Sequence, residues 1–435
     1  MSQFITRQVH VTRLQHKVPN LIHSIDTPKT EEIKIFNSSM LKLSGWVLHE
    51  NKPVNVILQY SNHDSVHSCE IIRKDVVALL KKDAEAQCGF IIPIVHPVDF
   101  KVGFIINDEP VWVALVKIKQ ASKVLHGSNG HLFLDNDTNK SVEQFRGQTL
   151  ISDECLSLWY KYFERLESYT KERNAKYIFT LAPAKELVFP NLYPYTKSII
   201  TPAEQFLVNL NKFNIFYPLD VLREAGDISY WKLDTHWTDY GAGLVVKNIL
   251  EKFKKEQKNP FPFPFQVKRL NGDLGSKLPQ LTTQDILMAD FTSAKNQKKF
   301  DNKIVNRGWI QIYENENSIN QEKVIIFGDS FSVNMVPYLV TNFKKVIHVL
   351  SGARIDYDIL EQELPDIIIS EITTRFLIQP PDLSYSVSDD CFRKINSMPE
   401  SEKKDYIKDV MECTTDKYLF FLNKTLLNFE LETSE

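Results

Sequence analysis

Little in this sequence could hold a disulfide framework or a metal knuckle. Its five cysteines, Cys69, Cys88, Cys155, Cys391 and Cys413, are odd in number, scattered, and never spaced as Cys-x-x-Cys. That pattern excludes a small disulfide-stapled fold and fits a reducing compartment. Glycine is scarce, 14 in 435 residues, which excludes collagen-like and elastic classes. No stretch approaches the roughly 18 uncharged apolar residues of a membrane-spanning helix. The N-terminal MSQFITRQVHVTRLQHKVPN has no apolar run of the kind a signal peptide needs, so a cytoplasmic location is expected. Charge of one sign is also lacking. With 52 Lys+Arg against 55 Asp+Glu and a formal charge of -3, no global positive field exists to hold a nucleic acid or an anionic membrane. There is no phosphate-binding Gly-x-x-x-x-Gly-Lys-Ser/Thr loop, no Gly-x-Gly-x-x-Gly after a strand, no His-Glu-x-x-His and no EF-hand loop. Nothing therefore points to nucleotide, zinc or calcium chemistry, and neither a metal nor a bound cofactor is expected.

What is present is an ordinary globular composition: 43% hydrophobic, 25% charged and 11% aromatic. A chain of this length predicts two or three domains. Residues 1–30, with mixed charge and Pro19 and Pro28, read as an arm or linker. From 31 to 120 the texture is short β-rich runs: Leu41 to Leu48, Val54 to Tyr60, Gly89 to Ile94, Lys101 to Ile106 and Val111 to Ile118. Turn-like Asn51-Lys52-Pro53 and Asn107-Asp108-Glu109-Pro110 separate them. With one helical excursion at Lys74 to Ala86, this predicts a β-sandwich accessory domain, either a carbohydrate binder or a packing module.

After Gly127-Ser128-Asn129-Gly130, helices alternate with short apolar strands, the α/β pattern of a parallel sheet covered on both faces, over 121–435. Ser152 caps a helix to about Arg173, and Thr201-Pro202-Ala203-Glu204 and Thr238 open two more. Lys176 to Leu181, Lys323 to Phe327, Lys345 to Leu350 and Asp366 to Ile372 are the apolar strands. Residues 256–320, rich in Pro, Asn, Gln and Lys, read as an irregular insertion, and Glu400 to Phe429 as an outer helix.

Chemistry concentrates in two segments. Val324-Ile325-Ile326-Phe327 runs into Gly328-Asp329-Ser330-Phe331-Ser332 and then a helix. The Ser330 hydroxyl would lie at the carboxyl edge of the sheet, with helix N–H groups aimed at a developing oxyanion. A serine in that position alone is more often a cap. The second segment is Leu233-Asp234-Thr235-His236-Trp237-Thr238, where an Asp two residues before a His can hold the imidazole in the tautomer that accepts a proton.

Together these segments resemble the SGNH-hydrolase-like polysaccharide O-acetyltransferases of the alginate-acetylation type. Further markers are His131-Leu132-Phe133-Leu134-Asp135, Ala182-Pro183-Ala184-Lys185-Glu186, Gly272-Asp273-Leu274-Gly275 and Glu371-Ile372-Thr373-Thr374-Arg375. Asp-x-His precedes Gly-Asp-Ser here, as in that permuted family. The resemblance covers about residues 125–380 and implies a three-layer SGNH-like sandwich.

By the same resemblance, Ser330 is the nucleophile, His236 its base and acid, and Asp234 the partner that orients His236. Lys185, Arg354 and Arg375 are candidates for the oxyanion or an anionic substrate group, and Trp237 for stacking on a sugar. The implied partners are a polysaccharide acceptor, a capsule-type glycan assembled by a synthesis complex, and an acetyl donor. In the cytoplasm, or at the inner membrane through partners, that donor would be acetyl-CoA as co-substrate. A carbohydrate acetyl esterase and a non-catalytic glycan-binding scaffold are the alternatives.

Overall fold

The computed structural model describes residues 4–29, 31–36, 41–60, 64–80, 84–94, 99–135, 137–257, 259–278 and 282–427. The chain divides between Ser128 and Asn129 into two compact units, with Lys277 and Leu278 counted in the first.

The first unit is built from antiparallel strands in two sheets. One has the order Glu31–Phe36, Phe4–Arg13, Glu109–His126, Phe100–Ile106, Val56–Gln59, Asp64–His67. The other is Leu21–Thr27, Leu41–His49, Gly89–Ile94. Residues from both sheets, among them Val9, Leu43, Val47, Phe90, Val102 and Phe104, share one buried core. Asn107 and Asp108, with φ of 49° and 66°, turn the hairpin between Ile106 and Glu109, the left-handed pair that matches strand twist.

The structure corrects the reading of residues 1–30 as an arm, since they supply two strands. Val9 is buried and pairs with Ile118, but the apolar alternation around it is diluted by Arg7, His10 and Arg13. The expected boundary at 120 and 121 falls inside the strand Glu109–His126. The helical excursion spans only Lys74–Leu80, and residues 81–83 of its expected range lie outside the described residues.

The second unit is organised on one mixed sheet. Its strands, numbered within that sheet, are β1 Lys176–Ala182, β2 Ile215–Phe216, β3 Lys298–Asp301, β4 Ile310–Glu314, β5 Asn320–Gly328, β6 Phe343–Leu350 and β7 Ile367–Thr373. Their order is β2-β1-β7-β5-β6-β4-β3. The first five in that order are parallel, and β4 and β3 close one edge antiparallel.

Strand side chains alternate faces. Ile325 and Phe327 of β5 enter a core shared with Trp159, Phe163 and Phe206, while Val324 and Ile326 enter a second core with Trp237, Val245, Ile249 and Leu339. A strand buried on both faces needs continuous apolar sequence, which is why Val324 to Phe327 has no polar gap. After β5 the chain crosses through the helix Val336–Asn342 into the second core, and after β6 through Tyr357–Glu363 into the first. Connections that leave β5 and β6 toward opposite faces open a crevice at the carboxyl ends of the strands.

The expected insertion at 256–320 is only partly irregular. Phe265–Leu270 and Gln284–Ala289 pair antiparallel, and β3 and β4 belong to the main sheet because Phe300, Ile310 and Ile312 alternate into its core. The C-terminal helices Glu400–Glu412 and Leu419–Leu426 follow, with Phe421 and Leu426 buried in the first core. Phe429 lies outside the described residues.

Because β5 is buried on both sides, Ile325→Ala and Ile326→Ala should each destabilise by about 2–5 kcal/mol in urea unfolding. A near-neutral result for either would mean that its face is not covered.

Candidate active site

Strand β5 ends at Gly328, where a side chain would collide with Ser332: an added Cβ meets its Cβ at 2.3 Å. The Gly328 carbonyl accepts from the Ser351 and Gly352 N–H groups at 2.9 and 2.8 Å, which ties the end of β5 to the loop after β6. Asp329 then locks the turn. Its carboxylate accepts from Phe331 N at 2.9 Å, Thr373 N at 2.9 Å and Thr373 Oγ1 at 2.6 Å, the last two at the end of β7. Ser330 follows, half-buried, at the carboxyl edge.

The expected helix does not start at once. A single 3-10 turn, Ser332–Asn334, intervenes before Val336–Asn342. The N–H groups of Phe331 and Ser332 are already engaged by the Asp329 carboxylate and carbonyl. The Ser330 N–H has no hydrogen-bond partner among the described residues, so it is the donor left for an oxyanion.

The second half of the site is the loop Leu233–Trp237, pinched at its base by pairing of Tyr230 with Trp237 and by Trp231 N donating to the His236 carbonyl at 3.3 Å. Thr238 caps the helix Asp239–Lys252 by accepting from Gly241 N. Asp234 Oδ1 accepts from both the His236 backbone N–H at 2.9 Å and Nδ1 at 2.7 Å. His236 Nε2 lies 2.7 Å from Ser330 Oγ. With Nδ1 donating to Asp234, Nε2 is the free base facing the hydroxyl, an arrangement that can carry a proton away from Ser330 and return it. Burial alone would raise the Asp234 pKa, but the His236 ring and the N–H groups of His236 and Asp273 outweigh it and hold the carboxyl below its ordinary value.

Two further groups, one clasping this loop and one under the Ser330 turn, have no role assigned to them from the sequence. Asp273 accepts from Thr235 N at 2.8 Å and Thr235 Oγ1 at 2.6 Å, and its own N–H donates to Asp234 Oδ2 at 2.7 Å. Gly272, at φ 65°, allows this clasp, because a Cβ there would lie 2.3 Å from the Leu233 carbonyl. Asp234, His236 and Asp273 bring three donor groups within 4.8 Å of one another. Every oxygen of the two carboxylates is nevertheless engaged by an N–H or O–H group, which suits a hydrogen-bonded relay. Glu371 of β7 is the other. Wholly buried, it accepts from Asp329 N at 2.9 Å through Oε2, while Oε1 has no hydrogen-bond partner among the described residues. Burial, and then the neighbouring Asp329, push the Glu371 pKa well above the usual range, which favours the protonated carboxyl.

The remaining candidates are relocated by the structure. Lys185 is buried, and its Nζ donates to the carbonyls of Leu132, Trp231, Lys232 and Asp234 at 2.6 to 3.0 Å. It anchors the histidine loop and is not available to an oxyanion or a substrate anion. Burial pulls its pKa down to about 7 against the opposing pull of Asp234.

Trp237 is fully buried, donates Nε1 to the Phe331 carbonyl at 3.1 Å and packs edge-on against that ring. It wedges the two halves of the site together and cannot stack on a sugar. Arg375 faces Glu186 across a cavity of about 20 Å³, room for one water and not for a sugar or phosphate. Arg354 is half-buried beside Arg307 in the loop after β6, and neither has an ion-pair partner among the described residues. The Arg354 guanidinium lies 5.8 Å from the centroid of the Tyr385 ring, with Asp390 and Asp382 acting on it.

No family model and no curated protein matches the sequence. Among solved structures, the chain is similar to Bacillus cereus PatB1, with 15% identity, TM-score 0.44, and 58% of this chain and 96% of that chain covered. It is similar to the O-acetyltransferase domain of Pseudomonas putida AlgJ, with 16% identity, TM-score 0.38, and coverage of 65% and 98%. Pseudomonas aeruginosa AlgX gives 17% identity, TM-score 0.37, and coverage of 60% and 64%. The chemistry assigned to Ser330 rests on the geometry of the site.

Two outcomes test this site. Lys185→Met removes this donor from four carbonyls, of which that of Lys232 keeps the Leu132 N–H at 2.8 Å, at about 1–3 kcal/mol for each of the others that stays dry; thermal unfolding should drop by several degrees, and Lys185→Arg should not restore it. An unfolded chain ionises Glu371 near about pH 4.3, and the raised folded value means its stabilising contribution is full below that pH and lost as pH rises. Glu371→Gln keeps the acceptor for Asp329 N–H and removes the titration. In denaturant titrations from about pH 4 to about pH 8 the wild type should lose stability relative to this variant; parallel curves would mean that Glu371 is ionised.

Proposed function

We propose that this chain is a serine-dependent O-acetyltransferase acting on a polysaccharide of capsule type, with acetyl-CoA as donor. The carrying observation is the continuous relay from Asp234 through His236 to Ser330 at the crevice of the sheet. In the first half-reaction, Ser330 Oγ gives its proton to His236 Nε2 and attacks the thioester carbonyl. The oxyanion forms beside the Ser330 N–H, and as it collapses the C–S bond breaks and His236 gives its proton to the sulfur, which leaves as the free thiol. In the second, a sugar hydroxyl passes its proton to His236 and attacks the acetyl-serine. Ser330 Oγ then leaves and recovers the proton, so each half-reaction ends with His236 neutral.

Asp234 steadies the imidazolium in both steps. Trp237, Lys185 and Asp273 touch no reacting atom and hold the loop at the height where Nε2 meets Oγ. A water in place of the sugar hydroxyl would give hydrolysis by the same residues. The acceptor therefore distinguishes a transferase from an esterase.

The test is thiol release from acetyl-CoA by the wild type, with and without bacterial capsular oligosaccharides. Release should require glycan and coincide with a one-acetyl gain in glycan mass. Ser330→Ala should abolish it, and Asp234→Asn should lower the rate by about 10²–10⁴-fold. Release without any mass gain would assign water as the acceptor. No release, with an activated acetyl ester still cleaved, would overturn acetyl-CoA as donor.

A further inference from the structure

Beside the histidine loop lies a cavity of about 710 Å³, lined by residues that both precede and follow the Asp234–His236 segment. That is within the range of pockets that hold small organic ligands. No residue of the relay lines it. Its walls are aromatic: Trp231, whose N–H binds the His236 carbonyl, Phe265, and the parallel pair Tyr240 and Phe261, with ring centroids 4.5 Å apart and planes 8° from parallel. Ile228 and Leu287 line it too, 51% and 53% exposed. Apolar side chains left open to water in a concave site mark a binding surface.

The charges at the rim select among occupants. Asp227, Asp285 and Lys232 line the cavity, two carboxylates against one ammonium, and Gln284 adds an uncharged amide. Asp227 is paired with Lys232 at 3.2 Å and Asp285 with Arg269 at 2.9 Å, so no cation is left over for a phosphate or a uronate. Among the described lining residues the CoA donor, with its several phosphate charges, therefore finds no unpaired cation here. An uncharged pyranose fits: its C–H face lies on aromatic rings, and its equatorial hydroxyls meet carboxylates and amides that accept hydrogen bonds.

We propose that this cavity is a subsite for uncharged sugar residues of the acceptor chain, adjoining the one acetylated at Ser330. The proposal rests on the polysaccharide acetyltransferase reading and deepens it. One glycan strand would lie along Trp231 and the Tyr240–Phe261 pair, and the histidine loop between cavity and crevice would set which sugar along the strand meets Ser330.

Binding is measured on full-length Ser330→Ala protein, in which no transfer takes place, so it succeeds or fails independently of the acetyltransferase assay. The chain has six tryptophans, and with ¹⁵N-labelled indoles the Trp231 signal is identified by its disappearance in Trp231→Phe. The probes are cellohexaose, chitohexaose and xylohexaose, each to about 10 mM, the range needed for weak sugar sites. At least one should shift the Trp231 signal, with its affinity lowered about tenfold by Phe261→Ala and largely kept by Trp231→Phe, read through mass-detected binding. Thermal unfolding of each variant separates lost binding from lost folding. Acetyl-CoA should not displace the sugar. The proposal is overturned if none of the three shifts the Trp231 signal, if folded Phe261→Ala binds as the parent does, or if acetyl-CoA competes for the cavity.

Discussion

The carboxylate of Asp329 holds the site together. It sits one residue before Ser330 and binds forward to the Phe331 N–H and sideways to both the N–H and the hydroxyl of Thr373. These contacts weld the carboxyl ends of two neighbouring parallel strands into one rigid corner and leave the Ser330 N–H without a partner among the described residues. A buried carboxyl of this kind needs hydrogen-bond donors, and both Asp329 oxygens have them. The adjacent Glu371 is pushed by burial, and then by Asp329, toward its neutral form.

The histidine half depends on an opposite charge in the same way. Lys185 comes from the segment just after β1, and its ammonium gathers the carbonyls of Leu132, Trp231, Lys232 and Asp234. A loop without regular structure has carbonyls that need donors, and a single buried lysine reaches four of them. Asp273 clasps the same loop from the other side. Ser330 and His236 are therefore both carried on irregular backbone and fixed by ionisable side chains that do not contact the Ser330 hydroxyl. Trp237, hydrogen-bonded to the Phe331 carbonyl, joins the two halves.

The proposed chemistry and the proposed recognition lie on separate parts of the second unit. The relay occupies the sheet's crevice, while the aromatic cavity lies alongside the histidine loop, walled partly by the hairpin Phe265–Leu270 and Gln284–Ala289. Under the proposed subsite, changes in that hairpin would alter which sugar is held and leave the Asp234–His236–Ser330 path alone. Its residues come from the very stretch whose composition suggested an irregular insertion.

Local sequence determined the strands at Lys176, Lys323 and Asp366, the caps at Ser152, Thr201 and Thr238, and the nomination of Ser330, His236 and Asp234, because each is encoded within a few consecutive residues. An apolar run, a hydroxyl before a helix and an Asp-x-His turn act on their own neighbourhood. Tertiary structure alone decided the rest. Lys185 reads as a free cation until four carbonyls from two distant segments surround it, and Trp237 reads as a sugar platform until Phe331 covers it. The strand at Phe4–Arg13 reads as an arm until Glu109–His126 pairs with it. Burial and pairing across long sequence separations set the charge and exposure of a side chain, and neither is written in the residues next to it.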